Sequence, residues 1–400
     1  MKGYRVLMMV HRQQDNSPYC FYVHEQAKAL RNEGHDVTVI SCVGLPPFAD
    51  RLRPEVAELN RRTPEHAVVD GIQVYYPRCL TLGNPGERLF GGWPIARAAM
   101  KTAQRLHAEK RFDLVHAHML PRDGHAGLLI AGKLGIPCAL TIHGTDVFHY
   151  FIPGQKPWPR NIRIARDVDA LMSVSSLLLS RVAPYRTSGM SEIVQNGVDL
   201  SLIPEKTERK RHSILSVGTL KERKCMDRTL EAFGRIAGDI PDAELTLVGI
   251  GPMEGRLRQR AAELGLSDRV HLTGGLPHRE VLEIMSRSDL FVLPSWGEGY
   301  GIVYIEAMAA GCIAVGAEGE GIADTIVHGE NGFLVPAGDT EAVEHVMRDV
   351  FACEEKYALL RENGRQTARK LTWQRNARQT GEVYTRMLRQ KEDENEQKGL

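Results

Sequence analysis

A twice-repeated alternation of short apolar runs with amphipathic helical patterns constrains this chain more than any other feature. RVLMMV, HEQAKALRNEG and DVTVIS read as strand, helix and strand, with Gly34 closing the helix as a C-terminal glycine does. FDLVHAH, GHAGLLIAGKLG, CALTIH and ALMSVS continue the rhythm. Strands that are apolar throughout and separated by helices belong in a parallel sheet covered by helices. A second alternation starts at SILSVG and runs through DRTLEAFGRIAG, ELTLVG, GRLRQRAAELG, RVHLTG, a helix near Glu280 to Ser288, and LFVLPS, before IAVGAE and GFLVPA add strands. The expected fold is therefore α/β, with two Rossmann-like parallel-sheet domains.

The length of 400 residues agrees, because one hydrophobic core rarely serves so many. The first domain is expected at 1–204. The charged stretch EKTERKRH suits a linker, the second domain is expected at 205–370, a helix at 371–390 is expected to pack back on the first, and 391–400 is expected to be a frayed charged tail. With 42% hydrophobic and 25% charged residues the chain is neither disordered nor fibrous. A formal net charge of +1 offers nucleic acid no global attraction. The apolar run Val6 to Val10 is too short for a secretory signal, and Ala126 to Ile142 is interrupted by Lys133, Gly135 and Pro137, so no membrane span is expected. Seven cysteines without CxxC spacing read as reduced thiols in a cytoplasm.

Chemistry concentrates in Ser288 to Gly311, SDLFVLPSWGEGYGIVYIEAMAAG. A buried strand runs into a turn punctuated by Gly297, Gly299 and Gly301, and a helix follows near Ile302. Backbone can approach a ligand closely there, and the helix directs free amides and its positive dipole end at it, which suits a pyrophosphate. Glu298 in the turn and Glu306 in the helix would bracket a nucleotide sugar, one near each end.

The run EGYGIVYIE, with Glu298 and Glu306 separated by seven residues, resembles the signature of retaining GT-B glycosyltransferases of family four, the group 1 glycosyl transferases. The resemblance covers nearly the whole chain. It implies two domains facing each other across a cleft, the first on the acceptor side and the second binding the nucleotide sugar. It places Glu298 beside the donor hexose and Glu306 on the ribose hydroxyls, with Gly299, Tyr300, Gly301 and Ile302 also at the donor. SVGTLKERKCMDRTLEAF resembles the segment in which an arginine and a lysine contact the diphosphate; Lys224 fits the lysine, while Thr219 stands at the arginine position and Cys225 at the usual glycine. A solvated surface lysine is the alternative for Lys224.

In the first domain, LTIHGTDVF puts His143 at the carboxyl end of a strand, where open parallel sheets bind ligands. The resemblance gives it a contact to the donor sugar. Asp146 reads as a turn or cap residue. His116 and His118 form an HxH pair without a third metal ligand in evidence, so His118 is expected near the cleft and no metal is expected. Glu320 either faces the acceptor or enters a helix. The first loop, HRQQDNSPYCFYVHEQAKAL, lacks the family's glycine, and its SP followed by FxxxEQxxAL resembles transferases of teichuronic acid and other exopolysaccharide pathways. Gly249, Gly251 and Gly255 imitate a dinucleotide fingerprint but read as a turn near the nucleotide, with base contacts made by backbone near Val270 to Leu276. Asp167 and Asp169 imitate a metal-binding DxD but fall where a helix hands over to a strand.

The resemblance implies transfer of a hexose from a nucleotide diphosphate sugar, UDP or GDP, to a hydroxyl of a glycan or lipid-linked acceptor, with retention, no protein nucleophile and no cofactor. His143, Lys224 and Glu298 would carry the catalysis. Arg97, Lys101 and Arg105 recur at four-residue spacing within Trp93 to Phe112, opposite Ala98, Ala99, Ala103 and Leu106, a pattern that fits either a solvated face or peripheral contact with anionic membrane at the inner face of the cell membrane. A nucleotide-sugar epimerase on the same architecture and a non-catalytic nucleotide-sugar-binding subunit are the rival readings.

Overall fold

The chain forms two units, Met1–Gln195 with Trp373–Leu400, and Asn196–Thr372. A computed structural model describes residues 3–11, 20–47, 51, 54–81, 83–205 and 208–398. The first unit is built on β1 (Arg5–Met9), β2 (Asp36–Ile40), β3 (Val43–Leu45), β4 (His66–Val69), β5 (Ile72–Tyr75), β6 (Arg78–Leu80), β7 (Leu114–His118), β8 (Cys138–Ile142), β9 (Ala170–Ser173) and β10 (Met190–Ile193). Its main sheet runs β10-β9-β8-β7-β1-β2-β5-β4, and β3 pairs with β6 alone. Every pairing in the main sheet is parallel except β4 with β5, joined through Asp70 and Gly71 at φ 49° and 75°, as a tight hairpin requires. The central strands β1, β7 and β8 are buried almost throughout, which explains their unbroken apolar character.

The second unit contains β11 (Ser213–Val217), β12 (Glu244–Val248), β13 (Val270–Gly274), β14 (Leu290–Val292), β15 (Ile313–Ala317) and β16 (Phe333–Val335). They lie in the order β13-β12-β11-β14-β15-β16, all parallel. Counted within the unit this is the Rossmann order, in which the direction of winding reverses between β11 and β14. A ligand site is expected outside the carboxyl ends of those two strands.

The division between units departs from the expected boundary at Pro204. The chain crosses at Gln195 and Asn196 and returns at Thr372 and Trp373. Within the second unit the two crossing segments are tied by Val198 N–H donating to Leu371 O at 2.9 Å, so residues 196–204 belong to that unit. EKTERKRH is no linker between units, because Lys210 N–H donates to Arg287 O at 2.8 Å and Ser213 directly begins β11. The returning helix, Trp373–Lys398, is longer than expected and includes most of the charged tail. Lys391 reaches Asp169 at 2.8 Å and Glu394 at 3.1 Å, contacts that extend the helix past 390. The helix packs on Phe21–Asn32, where Gln26 donates to Asn376 at 2.8 Å, and its buried Tyr384 hydroxyl pairs with His116 Nδ1 at 2.7 Å.

In the helix Trp93–Glu109 the buried face is Ile95, Ala96, Ala99, Ala103 and Leu106; Ala98 is only half-buried. Arg97 and Lys101 are exposed, and Arg105 pairs with Glu109 at 2.8 Å. Among the described residues no helix is long and apolar enough to cross a membrane.

Candidate active site

In the second unit, β11 ends at Val217 and the chain turns through Gly218, Thr219 and Leu220 into a short 3-10 turn, Glu222–Lys224. Beside it, β14 leads through Pro294 to the glycine-punctuated turn and the helix Ile302–Ala310. Lys224 and Glu298 therefore meet at the point of reversal, and they form an ion pair with side chains only 10% and 13% exposed. Gly301 caps the helix at φ 80°, without a side-chain cap, which leaves the first helical amides to an outside acceptor. A Cβ there would come within 2.5 Å of the Tyr304 ring, so the position demands glycine on both counts.

The turn is held from two neighbouring loops. Arg223 donates to Gly297 O at 3.1 Å, and Trp296 N–H donates to Arg223 O at 2.9 Å. Glu320 accepts from Gly297 N at 3.0 Å and from Glu298 N at 2.7 Å. Of the two readings of Glu320, helix entry is the one observed: it stands at the N-terminal cap position of the 3-10 turn Gly321–Asp324, and its carboxylate clamps the backbone of the glycine-punctuated turn. The Tyr300 side chain is 2% exposed within the core, so its backbone is the part left to meet a ligand. Thr219 is exposed beside Lys224, and Ile302 is half-buried at the first helical position. Gly299 is buried, with its carbonyl packed against Gly321.

Glu306 is 8% exposed, and its Oε1 lies 2.7 Å from Nε2 of His278 at the start of the helix His278–Arg287. Sequence reasoning assigned the β13 region backbone contacts alone and missed this histidine, although its position just beyond a strand end was the available signal. Arg223 was missed likewise, hidden beside the expected lysine. Gly249 and Gly251 serve close packing: a Cβ on them would stand 1.8 Å from Gly218 O and 2.4 Å from Leu220 O.

In the first unit, the carboxyl ends of β1, β7 and β8 gather a polar cluster. His118 Nδ1 lies 3.1 Å from His143 Nε2, and the Tyr22 ring packs 4.4 Å from the His143 ring. Burial pushes His143 and His116 from the usual histidine value down to about 3, and it holds His118 well below that value, with the neighbouring imidazoles adding to the effect. All three rings are therefore neutral near pH 7. Asp146 acts as the turn residue expected of it, accepting from Leu120 N at 3.1 Å, His143 N at 3.1 Å and Gly144 N at 2.8 Å, while burial raises its carboxyl above the usual range against those bonds. His116, the other half of the HxH pair, is occupied by Tyr384 and by Thr141 Oγ1 at 2.7 Å.

Asp123 was not anticipated. It follows β7 in the π-helical segment Leu120–Gly124 and accepts from His11 N at 3.0 Å, with His11 Nδ1 2.5 Å from the same oxygen. Among the described residues the buried atoms Asp123 Oδ1, His118 Nε2 and His143 Nδ1 have no hydrogen-bond partner. Buried polar atoms are seldom left so, and three at one set of strand ends mark a place for a polar ligand or water. The glycine-free loop after His11 lies, over residues 12–19, outside the described residues. Of the imitation motifs, Asp167 ends the helix Pro159–Asp167, and Asp169 accepts from Cys138 N at 2.8 Å.

The description Glycosyl transferases group 1 fits residues 186–367, and Glycosyltransferase Family 4 fits residues 21–202. Glycogen synthase of Mycobacterium tuberculosis is 26% identical over 385 residues, covering 91% of this chain and 89% of that protein. The MMP alpha-(1->4)-mannosyltransferase of Mycolicibacterium hassiacum is 26% identical over 393 residues, covering 92% and 94%. Among solved structures, sucrose-phosphate synthase from Thermosynechococcus elongatus superposes with a TM-score of 0.75 at 19% identity, covering 96% of this chain and 99% of that one. Anabaena Alr3699/HepE in complex with UDP-glucose superposes with a TM-score of 0.70 at 18% identity, with the same coverage. The two family regions overlap at residues 186–202 and together span 21–367, most of both Rossmann-like units, so the chain belongs to the family 4, group 1 glycosyl transferases and is a glycosyltransferase of the GT-B fold.

Proposed function

We propose that the protein transfers a hexose from a nucleotide diphosphate sugar, UDP-linked in the first instance, to a hydroxyl of a glycan or lipid-linked acceptor in cell-surface polysaccharide synthesis, with retention of anomeric configuration and without a metal. The observation that carries this reading is the meeting of Lys224, Glu298 and the uncapped N-terminus of Ile302–Ala310 where the second sheet reverses its winding. A cation and free amides fixed at one point stabilise a departing diphosphate without reorganising at the moment of reaction. That supply of positive charge removes the need for a divalent cation.

In this reading the diphosphate engages Lys224 and the amides of Gly301 and Ile302, Gly299 and Tyr300 approach through their backbone, and Thr219 borders the phosphates. Glu306 receives the ribose hydroxyls. Glu298 lies against the hexose, and His143, neutral because it is buried, contributes a hydrogen bond to it. The incoming hydroxyl forms its bond on the face from which the diphosphate leaves, and its proton passes to the departing phosphate oxygen. His118 supports His143 through their 3.1 Å contact. In this reading the transfer takes place in the cytoplasm, at the inner face of the cell membrane.

Titration calorimetry with UDP, GDP, ADP and their sugar conjugates, in EDTA, tests the donor assignment, and NMR of the product anomer tests retention. Binding of one nucleotide that Lys224→Ala weakens, with an anomer matching the donor, is expected. No nucleotide binding to the intact chain would overturn the donor site, and an inverted product would overturn the mechanism.

A further inference from the structure

We infer that the first unit carries a binding pocket for an anionic amphiphile, and that the acceptor is such a molecule: an apolar body joined to a phosphate or other acidic group. This deepens the proposed transfer and rests on it. Between β6, the helix Gly83–Phe90 and the start of Trp93–Glu109 lies a cavity of about 490 Å³, within the range that holds small ligands. Leu80, Phe90, Trp93, Pro94, Ile95 and Ala98 contribute its apolar walls. Leu80, Phe90 and Trp93 are 57%, 45% and 51% exposed, and Leu89 beside them is 68% exposed. Large apolar side chains gathered in this way, when water covers them, mark a site of contact.

The exposure is built in. Arg160 ties the end of Gly83–Phe90 by donating to Glu87 O at 3.0 Å, Arg88 O at 3.2 Å and Leu89 O at 2.6 Å. Gly92 N donates to His125 Nδ1 at 3.1 Å, and a Cβ on Gly92 would sit 1.9 Å from Arg122 O. Polar bonds and a close backbone contact thus hold apolar side chains out where collapse would have buried them.

The charge of the lining selects the ligand. Arg78 spends its guanidinium on the carbonyls of Tyr76, Asn60 and Thr63. Arg97, its guanidinium 5.7 Å from the centre of the Trp93 ring, and Arg122 also line the cavity, and among the described residues neither has a carboxylate partner. Glu87, the lining's acid, is occupied by the Tyr150 hydroxyl. An apolar cavity bordered by two guanidinium groups without carboxylate partners, one of them stacked on an aromatic wall, fits a molecule that is apolar at one end and anionic at the other. The pocket also adjoins the polar cluster of the first unit. Arg122 belongs to Leu120–Gly124, whose Leu120 amide shares the Asp146 carboxylate with the His143 amide and whose Asp123 holds His11. A molecule anchored there would present its other end to the carboxyl ends of β1 and β7.

Calorimetric titration of the full chain with octyl phosphate, octanol and inorganic phosphate, each below aggregation, tests the assignment. Saturable binding of octyl phosphate is expected, with octanol and phosphate each weaker by about tenfold or more. Ala98→Trp, which fills the cavity, and Arg122→Gln, which keeps it open, should each weaken octyl phosphate by about tenfold while UDP binding stays unchanged. The inference is overturned if octyl phosphate fails to bind a protein that binds UDP, if it binds no better than phosphate, or if neither variant changes its affinity. Binding to phosphatidylglycerol vesicles without binding to monomeric octyl phosphate would also overturn it, in favour of a membrane-contact face. Absence of UDP binding with octyl phosphate binding intact would instead strike the donor reading and leave the pocket standing.

Discussion

Nε2 of His278 stands 2.7 Å from Oε1 of Glu306, across the carboxyl ends of β13 and β14, and fixes the direction of a carboxylate that is almost buried. If Glu306 takes the ribose hydroxyls, it does so as an oriented anion. A hydrogen bond to a charged group contributes about 1.5–3 kcal/mol, so Glu306→Ala should weaken UDP binding by about 10- to 100-fold. The loss should vanish when UDP is compared with its dideoxyribose analogue, which has no hydroxyls to lose. His278→Ala should cost less, because it removes orientation and leaves the acceptor in place. Calorimetry of both nucleotides with the parent and the two variants decides it; equal losses for both nucleotides would disprove the ribose contact.

Lys224 and Glu298 form the second test. Removing the lysine leaves a carboxylate nearly buried without its partner, and in the proposed reading it also strips the diphosphate of its cation. Lys224→Ala should reduce kcat/KM by about 100-fold or more and compress the affinity difference between UDP and UMP, since Lys224 distinguishes them only through the second phosphate. The double variant with Glu298→Gln should recover folding stability without recovering activity. A Lys224→Ala enzyme of undiminished kcat/KM would remove Lys224 from the mechanism.

Cys225 adopts φ 51° and ψ 31°, a left-handed conformation that joins the turn Glu222–Lys224 to the helix Met226–Ile236. This explains why glycine is usual at the position in the family it resembles: the turn requires the conformation, and cysteine bears a cost of about 1 kcal/mol to adopt it. Cys225→Gly should leave the midpoint of chemical unfolding nearly unchanged, because relief of strain is offset by greater freedom in the unfolded chain. Cys225→Val, β-branched and therefore poorly suited to the left-handed conformation, should destabilise by about 1–3 kcal/mol. A valine variant as stable as the parent would show that the backbone there is not constrained.

The sheet content and the glycine-punctuated turn between strand and helix were legible because they rest on local patterns: apolar runs such as LFVLPS, and glycines spaced around Glu298. What stayed hidden depends on long-range closure. Glu320 meets the amides of Gly297 and Glu298 only after β15 has been laid beside β14, so its role as a clamp cannot be read from its own neighbourhood. That the Tyr300 ring is drawn into the core is likewise not written in the residues flanking it. Asp123 and His11 are separated by 112 positions and become partners because β1 and β7 are adjacent strands. The boundary at Gln195 was missed because composition changes later, at EKTERKRH, than connectivity does.

Tyr384 supplies a test of the returning helix. Its buried hydroxyl pairs with His116 Nδ1 at 2.7 Å. Tyr384→Phe keeps the packing and orphans a buried ring nitrogen, which should cost about 1–3 kcal/mol. The loss should appear in unfolding of the first unit, followed through amide exchange in β7 and β8, with nucleotide affinity unchanged. An unaltered exchange pattern would mean the hydrogen bond contributes nothing.

The buried histidines set the acid limit of the first unit. His116 and His143 are held near 3 by burial, below an ordinary value of 6.5, so in the intervening range the unfolded chain binds protons that the folded one refuses. Their contribution is complete above pH 6.5 and is lost as pH falls towards 3, at about 1.4 kcal/mol per pH unit for each. Asp146, whose carboxyl burial raises, acts in the opposite sense once the pH enters the carboxylate range, because the folded state takes up its proton first. Between pH 6.5 and 5 the histidines dominate, and each should remove about 2 kcal/mol. Urea unfolding of the parent and of His143→Asn over that range should show a steep loss in the parent and a slope shallower by about one proton in the variant. Parallel slopes would show that His143 is protonated in the folded state, and a protonated imidazole is excluded from the neutral hydrogen-bonding role proposed for it at the donor sugar.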